Sequence, residues 1–229
     1  MERRLAAILA ADAVGYTSLM GADEAGTLRR FTALRQDVLE PLIAEHHGRV
    51  VKLMGDGFLV EFASVVDALI CAVAWQAGVA GHQATTADDK RFVFRIGINL
   101  GDVIVDGDDI HGDGVNVTSR LEGLADRGGI CLSDDAYRQV RGKAEAEFED
   151  LGEQALKNVA EPVRVYRVKT AAPGTAAASP AGAAPALPNK PSIAVLPFDN
   201  MSGTTSRSTS PTASPKTWSR PCRRSAGFS

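Results

Sequence analysis

Apolar residues recur at two spacings along the chain. Leu28, Phe31, Leu34, Val38, Leu42 and Ile43 return every three or four positions, which predicts an amphipathic helix over 24–46. Val66, Leu69, Ile70, Val73 and Ala77 do the same over 64–81, and Val117, Leu121 and Leu124 over 114–126. Between these lie short β-rich runs. Residues 49–54 and 57–62 flank an Asp-Gly turn and read as a hairpin. Residues 92–98 (FVFRIGI) and 102–105 (DVIV) read as strands around Gly101, and 129–132 and 163–168 as further strands. The run LAAILAA at 5–11 fits a strand or a helix by pattern alone. Taken as a strand, it completes the order β-α-β-β-α-β with additions, an α+β fold of ferredoxin-like type.

The character changes near Thr170. Residues 170–190 are Ala/Pro-rich without an apolar period, which reads as a linker after a domain of ordinary size at 1–169. Residues 191–203 hold one strand-like run, SIAVLPF, and read as the opening strand of a truncated second domain. Residues 204–229 are polar and basic, lack acidic residues and cannot build a core, so a disordered tail is expected. A frameshift product is the alternative. With suitable codons, a one-base frame change just after Gly203 gives DDLEVDLTDGITEDVVTALSKIRWF, which has helical periodicity and ordinary composition. Independent reads of the gene decide between the two, an intact frame ending the frameshift idea.

With 45% hydrophobic and 23% charged residues among 229, the chain has the material for a packed core. A net charge of −3 gives no basis for a nucleic-acid partner. Cys71, Cys131 and Cys222 lack metal-ligand spacing, and so sparse a set fits a reducing cytoplasm better than a disulfide framework. MERRLAAILAADA has the outline of a signal peptide, but its apolar run is brief and Asp12 follows at once. No run approaches the ~18 apolar residues of a spanning helix, so a soluble chain without a membrane partner is expected.

Two carboxylates stand out. Asp56 sits between glycines in VVKLMGDGFLVEF, where an Asp at a turn is ordinary. Asp12, however, ends an apolar run, and a charge abutting a buried strand is costly unless paired or metal-bound. If the first strand lies beside the hairpin, Asp12 and Asp56 converge and form a hard-oxygen site for Mg²⁺. Lys52 shares a strand face with Asp56 by even spacing, as an edge lysine or as a site residue. Asn116 and Arg120 lie one helical turn apart and point the same way. His111 and the loop acids Asp102, Asp106, Asp108 and Asp113 carry no such argument.

In order and with natural spacings, DAVGYTSL, VKLMGDGFLVEF, RIGINLGDV, DDIHGDGVNVTSRLE and LGEQALKNVAEPVRVYRV resemble the class III adenylate/guanylate cyclase catalytic domain, from about Arg4 to Val168. The resemblance implies that Asp12 and Asp56 bind two divalent ions, Mg²⁺ or Mn²⁺, per active site. It implies that Lys52 and Asp109 read the purine, although Asp108 is adjacent. Asn116 and Arg120 correspond to the residues that orient the ribose and stabilise the transition state, and Arg95 and Lys157 to triphosphate-binding positions. The backbone of residues 13–17 matches a segment that cradles phosphates. The reaction implied is attack of the ribose 3′-hydroxyl on the α-phosphate with loss of pyrophosphate. Lys is a donor only and ionised Asp an acceptor only, which suits N1 and N6 of adenine, so ATP is the expected substrate. The family shares each site between two chains. One chain carrying both residue sets implies a head-to-tail homodimer. A catalytically silent nucleotide-binding module and a guanylate cyclase are the alternatives. A diguanylate cyclase is disfavoured because its GG[DE]EF hairpin is absent.

Overall fold

The run LAAILAA, ambiguous by pattern, is the middle of a long central strand in the computed structural model, which describes residues 2–169. The linker, the truncated-domain strand and the tail expected at 170–190, 191–203 and 204–229 lie outside the described residues. Strand β1 (Glu2–Ala13) is followed by helices α1 (Tyr16–Ala22) and α2 (Glu24–Leu34), a π-helical turn at Arg35–Leu39 and α3 (Glu40–Glu45). Thus the helix expected over 24–46 is present but widened in its middle. Pro41, in the first turn of α3, has no N–H to give the carbonyl four residues back, where its ring would also crowd an α-helical turn.

The hairpin β2 (Arg49–Met54) and β3 (Gly57–Phe62) follows, then α4 (Val65–His82), which opens on Ser64 accepting from Val66 and Asp67 N–H. The two strands expected around Gly101 are one strand, β4 (Phe94–Asp106), and it turns back into a short β5 (Asp109–His111). Helix α5 (Asp113–Leu124), β6 (Ile130–Ser133), α6 (Asp134–Val140), β7 (Glu147–Gln154) and β8 (Val163–Lys169) complete the domain. The sheet runs β2-β3-β1-β4-β6-β8-β7, with β5 on β4. Its first four strands have the ferredoxin-like order, and β1 is antiparallel to both neighbours.

Strand alternation sorts the sheet into two faces. Ala7, Leu9, Ala11, Phe58, Val60, Phe62, Phe94, Ile96 and Ile98 point to one side and pack against α2 and α4 through Phe31, Leu69 and Trp75. The helix expected over 64–81 corrects the expectation that no run approaches a spanning length: α4 is long and apolar enough to cross a membrane by length and composition. Its Ala68, Leu69, Cys71, Ala72 and Trp75 are buried in this core. Burial pushes the Cys71 and Cys131 thiols up to about 12 and about 11, so both stay protonated.

The opposite face carries Ala6, Ile8, Leu59, Val103 and Ile110 and receives α5. Helix and sheet meet there without an intervening side chain. A Cβ on Gly97 would lie 2.3 Å from the Glu122 nitrogen and 2.5 Å from the Thr118 carbonyl oxygen. Both are backbone atoms, so α5 would have to move. Gly97→Ala is therefore expected to lower stability by about 2–3 kcal/mol, the usual scale of overpacking. Gly81→Ala, where nothing lies within 4 Å, is expected to cost nothing. Urea unfolding of the two variants checks the contrast.

Candidate active site

In register, Asp12 stands between Gly57 on β3 and Arg95 on β4. The hairpin turn therefore brings Asp56 to Asp12. The turn differs from the Asp-Gly type expected. Its two loop residues are Gly55 and Asp56, only Gly55 has a left-handed φ (+66°), and Gly57 already belongs to β3. This is the type II′ pattern, with glycine first. A Cβ at Gly57 would lie 3.3 Å from the Met54 carbonyl oxygen, so glycine here lets the hairpin close tightly beside Asp12.

The carboxyl of Asp56 is held above its usual range, by burial first and then by the adjacent Asp12, against a backbone hydrogen bond that pulls it down. Arg95 Nη2 donates to Asp12 Oδ2 at 3.1 Å. Arg95 Nε lies 3.0 Å from Glu122 Oε1, close enough for an ion pair but outside hydrogen-bond geometry, and neither atom has another partner. Glu122, 14% exposed, is pushed up to about 7 by burial, with Arg95 opposing and both Asp12 and Asp56 adding to the shift. Glu122 was not singled out in sequence. It belongs to the SRLE run already noted, but only the contact at Gly97 shows that it faces β4.

A second group forms around β2 and β5. Lys52 pairs with Leu59 past a bulge at Val51, so its side chain shares the α5 face with Asp12. Lys52 Nζ reaches Asp109 Oδ2 at 2.5 Å, and Asp109 Oδ1 accepts from Ile110 N–H. The Lys52 hydrogen bond is the main cause holding the Asp109 carboxyl below its ordinary range. Of the adjacent pair, Asp109 is thus the one that meets Lys52. Asp108 instead gives its carbonyl to Arg49 Nη1 at 2.8 Å. Arg49 is held in turn by Glu61, a carboxylate only 5% exposed and flanked also by Arg4 at 2.6 Å. A carboxylate buried so deeply requires its two cations, and the trio ties the β4–β5 turn to β2. His111 Nε2 lies 3.7 Å from Asp109 Oδ2.

The third group is on α5. Gly114, Thr118 and Leu121 are its buried stripe, and Asn116 and Arg120 are exposed. Arg120 Nε donates to the Lys157 carbonyl at 3.3 Å, which places Lys157 beside Arg120. Glu122 and Arg120 are two residues apart, about 200° around the helix, so they face opposite ways. Among the described residues no hydrogen bond or ion pair joins the acidic group, the Lys52–Asp109 pair and the Asn116–Arg120 face to one another.

The model of the adenylate and guanylate cyclase catalytic domain matches residues 3–170. The chain belongs to this class III cyclase family. A curated relative, "Putative adenylate cyclase 3" of Rhizobium meliloti (strain 1021), is 49% identical over 207 residues, 89% of this chain and 35% of that protein. The chain thus spans about a third of that relative's length. The crystal structure of an adenylate/guanylate cyclase/hydrolase from Silicibacter pomeroyi superposes with TM-score 0.69 at 40% identity, over 75% of this chain and all of that one. The adenylyl cyclase CyaB from P. aeruginosa shares the fold, with TM-score 0.64 at 24% identity over 75% and 98% of the two chains.

For a cyclase domain, the donor set can be tested against divalent ions. Among the described residues no cluster of three His, Cys, Asp or Glu groups is set up to hold a metal. Two neighbouring carboxylates, one with its carboxyl raised by burial and then by the other's charge, fit Mg²⁺ or Mn²⁺ completed by substrate phosphates, the usual arrangement for Mg²⁺. Without ions the same pair is a like-charge conflict. A carboxyl raised in the folded state stabilises fully below its unfolded value, and that stability is lost as pH rises through the folded one. Asp56→Asn is therefore expected to melt higher than wild type at pH 8 in chelator. The difference should fade as pH falls into the ordinary carboxylate range. Calorimetric melts at several pH values check it.

Proposed function

We propose that the chain is an adenylate cyclase that converts ATP to 3′,5′-cyclic AMP and pyrophosphate, acting as a head-to-tail homodimer in cytoplasmic signal transduction. The observation that carries the choice of ATP is the Lys52–Asp109 pair, a donor-only and an acceptor-only group 2.5 Å apart. Adenine offers an acceptor at N1 and a donor at N6, so it can accept from Lys52 and donate to Asp109. Guanine offers the reverse on that edge.

Asp12 and Asp56 would hold two divalent ions, which when bound neutralise phosphate charge and make the ribose 3′-hydroxyl a better nucleophile. The 3′-oxygen forms a bond to the α-phosphorus as the bond to the pyrophosphate oxygen breaks. Asn116 would orient the ribose. Arg120 would offset charge growing on the α-phosphoryl oxygens, and Arg95 and Lys157 charge on the leaving pyrophosphate. These roles need the Asn116–Arg120 face to meet the acidic group. In one chain that face is exposed and turned away from Glu122, which supports a site completed by a second copy. Exposed Leu53 and Met54 beside the acidic turn supply apolar surface for such a contact.

The purified chain with Mg²⁺ or Mn²⁺ is expected to form cyclic AMP from ATP in preference to cyclic GMP from GTP, and Asp56→Ala to form neither. Product from GTP alone would give the guanylate cyclase reading. No product from folded, dimeric protein would give the silent module. Mixing Asp56→Ala with Arg120→Ala, each inactive alone, is expected to restore about a quarter of wild-type activity. Half of the dimers are then mixed, and each has one intact site. No recovery on mixing would count against the shared site.

A further inference from the structure

Arg95 is the only cation in contact with the acidic group among the described residues, and it faces two anions. Its sole hydrogen bond is to Asp12, one of the proposed ion ligands. A divalent ion on Asp12 takes up that carboxylate's charge and repels the guanidinium, so this bond is weakened in a working site and a second anchor is needed. The other anion is Glu122. It is mostly buried and 3.0 Å from Arg95 Nε, yet the pair is out of hydrogen-bond alignment and both atoms lack any other partner. The Nε–Oε1 separation is already that of a hydrogen bond, so only alignment is lacking.

The backbone supports this. Gly97 and Arg95 are alternate residues on the same face of β4, and Gly97 receives the Glu122 nitrogen so closely that no Cβ fits between them. Glu122 is therefore fixed relative to Arg95 by main-chain packing, as a positioning group must be.

We propose that Glu122 is a positioning residue. It retains the Arg95 guanidinium through Nε once Asp12 is engaged by a divalent ion, leaving the two Nη groups free for the polyphosphate of the substrate. The inference rests on Arg95 as a phosphate-binding residue, as proposed above.

Binding of inorganic pyrophosphate in the presence of Mn²⁺, measured by calorimetry on the full chain, tests it without turnover. Glu122→Met keeps the volume and removes the acceptor. It is expected to weaken pyrophosphate about tenfold, the scale of one charge-assisted hydrogen bond. Glu122→Gln keeps an acceptor oxygen and should fall between. In an Arg95→Met background, Glu122→Met should change affinity by less than about twofold, because the group it positions is gone. Should Glu122→Met fail to fold, the cycle of Glu122→Gln with Arg95→Met carries the same test. Equal affinity of wild type and Glu122→Met, or an undiminished loss in the Arg95→Met background, overturns the proposal. Wild type that binds no pyrophosphate and forms no cyclic nucleotide overturns the functional reading beneath it as well, which separates the two failures.

Discussion

A carboxylate at the end of a buried strand is the constraint around which this domain is arranged. Residues Ala6–Ala11 of β1 are all buried, and the next position is Asp12. Such a charge must meet a cation or water. The antiparallel register on both sides of β1 decides what it meets: the hairpin turn with Asp56 from β3, and Arg95 from β4. A slip of one residue in either ladder would turn Asp12 toward the apolar face packed by α2 and α4 and abolish the group. The long ladder of β1 with β4, from Glu2 to Ala13 with a buried apolar middle at Ala6–Ala11, makes that slip costly. The hydrophobic pattern thus sets both the stability of the sheet and the geometry of its chemistry.

The second dependence is steric. The side of the sheet that bears Asp12 and Lys52 is also the one on which α5 lies, and the helix comes close because Gly97 has no side chain. Close docking aims Glu122 at Arg95 and leaves Asn116 and Arg120 on the outer side. One helix therefore serves two directions, inward to its own acidic group and outward to whatever covers it. Around the edge, Glu61 between Arg4 and Arg49 does for β5 what Gly97 does for α5: through the Asp108 carbonyl it fixes the turn that presents Asp109.

Elements with a strong apolar period were legible in the sequence, including the helices over 24–46, 64–81 and 114–126 and the hairpin at 49–62. Those built from few apolar residues were not. β7 reads EFEDLGEQ, and its pairing with β8 is held partly by cross-strand charges such as Arg164 with Asp150 and Arg167 with Glu149. β5 has three residues in an acidic, Gly-rich stretch that reads as a turn, and α6 buries only Ala136 and Val140. Gly101 reads as a break between two strands. It lies instead within β4, where a side chain would meet the Gly114 Cα at 3.1 Å. For the site, the meeting of Asp12 and Asp56 followed from strand adjacency alone. Glu122 did not, because its role depends on a helix–strand distance that no periodicity encodes.

The Lys52–Asp109 pair shows how the same framework can discriminate between purines under the proposed reading. Each group is the other's partner before any base arrives, and the pair is partly exposed, so as a surface ion pair it adds little to stability. Its importance is in the exchange. An adenine edge that inserts between the two returns an acceptor to Lys52 and a donor to Asp109, so the charges separated are satisfied again. A guanine edge would set its N1–H against a donor-only ammonium and its O6 against an acceptor-only carboxylate. Both groups would then lose a good partner and gain a repulsive one. Sites built on specific hydrogen bonds reject mismatched partners strongly for this reason, because unsatisfied polar groups are left behind. Under that reading the discrimination would reside in the break-up of the resident pair, and it would hold only while β5 is fixed against β2. The buried Glu61 trio would then be part of the specificity of the site.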